Sequence, residues 1–257
     1  RTLPGHMTAL DDVRLLSGAG QDFGLSLHQG KCEGIVINPN NENAQYVLDE
    51  FRALAPSIAI TEINGAALLG SPLLDEGIPE ALAVQRQNLV TLVDRLKYIG
   101  AHEALYILKN CFSLPKLLYT LRTSSCWKYP MELRSLDNII TDSMQNVLNV
   151  SCEEYSLMQS TLPVSSGGLG IRIPSDLALP AYLASFHSTK ELVDEIIGRP
   201  SNAILSNVED AIASWIDLSQ CPAVQPLDRC KQRAWDSPLV KQTYEKLLAG
   251  AADLESR

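Results

Sequence analysis

Lys31 is the first lysine of the chain, and the next is Lys97. It stands in "FGLSLHQGKCEGIVIN", residues 23–38, between a polar turn and an alternating apolar segment. The other residues able to do chemistry are dispersed. The cysteines (Cys32, Cys111, Cys126, Cys152, Cys221, Cys230) include no C-x-x-C pair and have no histidine at ligand spacing, so buried free thiols in a reducing, intracellular compartment are expected. His6, His28, His102 and His187 are equally isolated, and no metal site is expected. The sequon Asn149-Val150-Ser151 would matter only in a secreted protein. No Gly-x-Ser-x-Gly elbow is present, which leaves a standalone hydrolase without support and no residue assigned a catalytic role. Residues 162–176, "LPVSSGGLGIRIPSD", lack the third glycine of a dinucleotide loop and the Gly-Lys-Ser/Thr of a P-loop. They read as a structural turn, with Gly167 and Gly168 at positive-φ positions and Ser175 or Asp176 capping the helix that follows.

Charge is distributed more tellingly than its sum. The net charge of −9 argues against a wholesale nucleic-acid binder. Residues 95–134 reverse the sign, with seven basic side chains (Arg95, Lys97, Lys109, Lys116, Arg122, Lys128, Arg134) against Glu103 and Glu132. Tyr98, Tyr106, Phe112, Tyr119, Trp127 and Tyr129 are interleaved with them. Cations for phosphates and rings for stacking are what a surface tracking a nucleic-acid backbone needs. An amphipathic helical segment with aromatic core positions would look the same, so both readings stand at this point.

These residues must be positioned by two kinds of structure. Strand-length apolar runs, "GIVIN" and "SIAITEI", flank a segment of helical spacing, "ENAQYVLDEFRAL", and Asn64-Gly65 predicts an antiparallel hairpin pairing residues 58–63 with 66–69. Asp11 reads as the cap of a short helix through Leu16. After Pro79 the pattern turns helical: Leu82, Leu89, Leu96 and Ile99 recur at helical turns, ending near Gly100. Further helices are predicted over about 101–111, 114–123, 130–149, 175–187, 190–197, 202–217 and 238–249, with Pro130 at a first turn. The expected fold class is therefore α+β, predominantly α-helical, with a small α/β piece over 1–76 and a helical region over 77–257. The 46% apolar content is that of a chain that folds, and no apolar run reaches the length of a membrane span. The abrupt start at "RTLPGHM" gives the expectation of a fragment or processed product.

The Lys31 segment resembles the palm of reverse transcriptases from non-LTR-type mobile elements, where Gly-Leu-x-Leu-Asn-x-x-Lys-Cys-Glu leads into a strand. His28 stands where that family has Asn. "ALLGSPL", residues 67–73, is similar to the primer-grip hairpin that follows in those enzymes, and "CFSLPKLLYTLRTS" and "LPVSSGGLGIRIPSDLALPAYLASF" resemble their thumb and post-thumb regions. The resemblance covers most of the chain through short motifs.

It implies that Lys31 lies near the incoming nucleotide's phosphates, the plain alternative being a solvated loop lysine, and that Leu69, Gly70 and Ser71 form a tight turn approaching the primer end. Lys109, Lys116 and Arg122 would contact the template-primer backbone. The resemblance also implies what is missing. Two-metal phosphoryl transfer needs paired carboxylates, and Asp11-Asp12 lack the family's preceding aromatic and lie too close to Gly24. The chain is thus expected to be a palm-to-thumb remnant, inactive as a polymerase by itself, binding RNA/DNA template-primer weakly. It would hold no cofactor of its own, Mg2+ being expected only for a complete polymerase. Self-association through a truncated palm sheet is a further expectation, and no membrane partner is expected. The competing expectation is a helical structural or interaction module that binds no nucleic acid.

Overall fold

Residues 174–197 carry too many apolar side chains for one face of a helix, and a helix apolar on several sides belongs in an interior. In the computed structural model, which describes residues 5–35, 43–198, 205–220 and 226–255, this segment is a single helix, α8 (Pro174–Ile197). Its Leu177, Ala178 and Ala181 join one core cluster and its Leu179, Leu183 and Ala184 another. Around it stand α3 (Ile78–Asp94), α4 (Ala101–Ile107), α5 (Leu114–Thr123), α6 (Pro130–Leu148), α7 (Glu154–Thr161), α9 (Leu205–Ser219) and α10 (Gln232–Glu255). The first cluster takes Leu82 and Leu89 from α3, Leu117 and Leu121 from α5, and Leu136, Ile140 and Met144 from α6. The second joins α8 to Ala211 and Trp215 of α9 and to Trp235 and Leu239 of α10.

These helices form one compact unit, residues 69–71 and 78–257; residues 1–68 and 72–77 form another. The first unit contains α1 (Gly5–Asp22), β1 (Glu33–Ile35), α2 (Ala44–Leu54) and β2 (Ala59–Thr61). β1 and β2 pair in parallel with Glu33 opposite Ala59 and Ile35 opposite Thr61, a pairing that requires a crossover such as the one containing α2. A second pair, β3 (Ala67–Leu68) and β4 (Ser71–Pro72), follows. The molecule is a predominantly α-helical α+β protein. No helix among the described residues is long and apolar enough to cross a membrane.

Several local expectations need correction. The Asn64-Gly65 hairpin does not form. Residues 63–65 make a tight helical turn closed by the Gly65 N–H on the Glu62 carbonyl, and β2 is committed to β1. The hairpin lies one step later, where Leu69 (φ 52°) and Gly70 (φ 81°) supply the two left-handed residues a two-residue turn demands. Asp11 does not cap a helix; it sits inside α1 and pairs with Arg14 at 3.3 Å. The separate helices 175–187 and 190–197 are one, because the Ser188 and Thr189 hydroxyls both donate to the Ser185 carbonyl and leave the helix unbroken. The last helix begins at Gln232, with Pro238 inside it.

In the loop before α8, the positive-φ glycines are Gly167 and Gly170. Gly168 is needed for another reason: a Cβ there would lie 2.1 Å from the Leu162 carbonyl oxygen. Neither Ser175 nor Asp176 caps α8. Asp137 of α6 does so instead, accepting from the Ser175 backbone N–H at 3.1 Å and from its hydroxyl. Among the described cysteines only Cys126 is fully buried; Cys111 and Cys230 are exposed, Cys32 and Cys152 are half-buried, and Cys221 lies outside the described residues. The expected strand residues 36–38 and helix residues 202–204 also lie outside them.

Candidate nucleic-acid interface

The sequence of α5, "LPKLLYTLRT", separates its faces by spacing alone. Leu114, Leu117, Thr120 and Leu121 are buried, and Lys116, Tyr119 and Arg122, three residues apart, make one exposed stripe. Pro115 starts the helix, where its missing N–H costs nothing.

The stripe is joined to the apex of the hairpin. Tyr119 donates its hydroxyl proton to the Leu69 carbonyl at 3.0 Å. Ser71 donates to Thr123 Oγ1 at 2.8 Å and lies 3.0 Å from Ser124 Oγ. Leu69 is thereby held in a left-handed conformation and is 87% exposed, and nothing lies within 4 Å of the space a Cβ would take on Gly70. An apolar side chain fixed in a strained conformation and facing solvent is a presented group.

Beside the stripe, a groove of about 460 Å³ runs between α3 and α5. Gln85, Asn88, Thr91 and Arg95 line one wall and Lys116 the other, with no carboxylate among the lining residues. Arg95, Lys116 and Arg122 form no ion pair among the described residues. Arg122 donates to a neutral group, the Gln232 amide oxygen, at 3.1 Å. Among the described residues no carboxylate pairs with any of the three charges. Cations, amides and a hydroxyl without an acid suit an anionic, hydrogen-bond-accepting backbone.

Of the four remaining basic residues of the segment, Arg134 acts on Asp137, and the three lysines make contacts of their own. Lys97 pairs with Asp94, whose hydrogen bond and charge raise its pKa. Lys109 reaches back to the Leu169 carbonyl at 2.8 Å, tying the glycine-rich loop down. Lys128 donates to Asn207 Oδ1 and lies over the Trp127 ring. Of the residues singled out in the sequence, Leu69, Gly70, Ser71, Lys116 and Arg122 come together and Lys109 stands apart. Lys31 belongs to the first unit, exposed at the end of the turn Gln29–Lys31 just before β1.

Sequence reasoning placed Tyr119 and Arg95 only among the rings and cations of residues 95–134 and did not single them out beside Lys116 and Arg122. Tyr119 was legible, since it falls midway between Lys116 and Arg122 at helical spacing; Arg95 needed the packing of α3 on α5.

Asp11 and Asp12 are consecutive residues of α1. Neighbouring residues on a helix point about 100° apart, and Asp11 pairs with Arg14, which also reaches Glu50 at 3.3 Å. Among the described residues no group of three or more His, Cys, Asp or Glu side chains is arranged to bind one. Searches of protein-family models, curated proteins and solved structures gave no match.

Proposed function

We propose that this chain is the palm-to-thumb portion of a mobile-element reverse transcriptase, and that it grips the backbone of an RNA–DNA template-primer without itself polymerising. The observation that carries the reading is the α5 stripe of Lys116, Tyr119 and Arg122 fastened to the exposed turn Leu69–Gly70. The acid-free groove with Arg95 extends it. Contact is with phosphates and exposed rings, so binding is insensitive to base sequence and weakens with salt.

The test is fluorescence anisotropy with a labelled RNA–DNA hybrid at two salt concentrations. The wild-type chain binds at low salt, and the double variant Lys116→Ala, Arg122→Ala loses affinity and lowers the log–log salt slope by about 2. A slope unchanged by the double variant would remove the interface from this face.

A helical interaction module that ignores nucleic acid is the second reading, favoured by the net charge of −9. It predicts no binding even at low salt.

A further inference from the structure

Two carboxylates, Asp176 on α8 and Asp236 on α10, share the guanidinium of Arg172, and Asp137 on α6 acts in turn on Asp176. Asp137 is engaged in capping α8 through Ser175. Arg172 donates from Nη2 to Asp236 Oδ1 at 2.5 Å, both side chains being less than one-fifth exposed, and its Nε is buried without a partner. Asp176 lines a small cavity of about 140 Å³ with Arg172 and with Leu239, Thr243 and Lys246 of α10. The other charged groups nearby are Arg134, which acts on Asp137 from α6, and Lys246 at the cavity wall. α7 and α9 contribute Thr161 and Leu218, which do not titrate.

Arg172, already paired with Asp236, only partly balances the Asp176 carboxylate, and enclosing an incompletely paired charge is costly. Burial pushes the Asp176 carboxyl up to about 6; Arg172 opposes this, while Asp137 and Asp236 reinforce it. Burial drives Asp236 and Asp137 in the same direction, against Arg172 for the first and Ser175 for the second.

We infer that this cluster is an acid-tightened clamp, in which protonation of Asp176 strengthens the docking of α10 on α8 and its ionisation loosens it. Lifting α10 would open the cavity wall formed by Leu239, Thr243 and Lys246 and return Asp176 to water. The closed state therefore holds the proton more tightly than the open one. Its advantage is complete below the ordinary carboxylate value of 3.8 and is lost as pH rises through about 6. That is the reverse of the usual ion-paired carboxylate, whose contribution grows with pH.

The experiment is amide hydrogen exchange of α10 in the full chain, corrected for the intrinsic pH dependence of exchange. Protection of α10 should rise about tenfold between pH ~7.5 and pH ~5 in the wild type. In Asp176→Asn it should be nearly flat and, at the higher pH, exceed the wild type. Wild-type protection that stays level or falls on acidification overturns the clamp whatever the variant does, and an equal rise in Asp176→Asn removes Asp176 from it.

Discussion

Leu69 shows what a single residue contributes when its backbone and side chain are at odds with its surroundings. A leucine in the left-handed region carries about 1–2 kcal/mol of steric cost, and this one spends it in full view of solvent. Tyr119 and Ser71 supply the hydrogen bonds that hold it there. Leu69→Gly should remove the strain and raise the stability of the chain by about 1 kcal/mol, read as a higher melting temperature, while weakening the anisotropy signal with an RNA–DNA hybrid. Loss of binding with no gain in stability would mean that the turn is unstrained. The turn itself was legible as a Leu-Gly-Ser step, but Asn64-Gly65 gave the stronger local signal for a hairpin and misled. What decided between them was the pairing of β2 with β1, a partner more than twenty residues away.

At the scale of elements, α5 and α6 could be read almost to the residue, because each has a proline in its first turn and keeps strict apolar spacing through Leu117 and Leu121 or through Leu136, Ile140 and Met144. The start of α8 could not. Its cap comes from Asp137, thirty-eight residues earlier in the chain, and no local pattern announces a side chain that caps a different helix. Replacing Asp137 with Ala leaves the Ser175 N–H and hydroxyl without their acceptor and should cost about 1–3 kcal/mol. Asp137→Asn, which keeps an acceptor oxygen, should cost less. Denaturant unfolding of both variants checks the order; equal losses would show that the charge, rather than the acceptor, is what α8 uses. The continuity of α8 across Ser188 and Thr189 was illegible for a similar reason: their hydroxyls turn inward onto the Ser185 carbonyl instead of ending the helix.

For the molecule as a whole, the division near residue 77 follows the change in the sequence from strand-length runs to helical spacing. Both apolar clusters lie in the second unit, whereas the described buried hydrophobics of the first are Leu10, Ala55 and Ala66. With so little buried area the first unit should open at a lower free energy. Limited proteolysis should cut before Ile78 and leave a resistant helical fragment, identified by mass spectrometry; primary cuts within α3, α5 or α6 would contradict this. The aromatic stack of α8, α9 and α10 has an optical consequence. Trp235 meets Trp215 edge to face at 5.0 Å and is covered by the His187 ring at 5.6 Å. Trp127, the third tryptophan of the chain, also belongs to the second unit. Indole emission is therefore blind to the first unit, so a fluorescence melt can trace one cooperative transition while circular dichroism of the same sample records two.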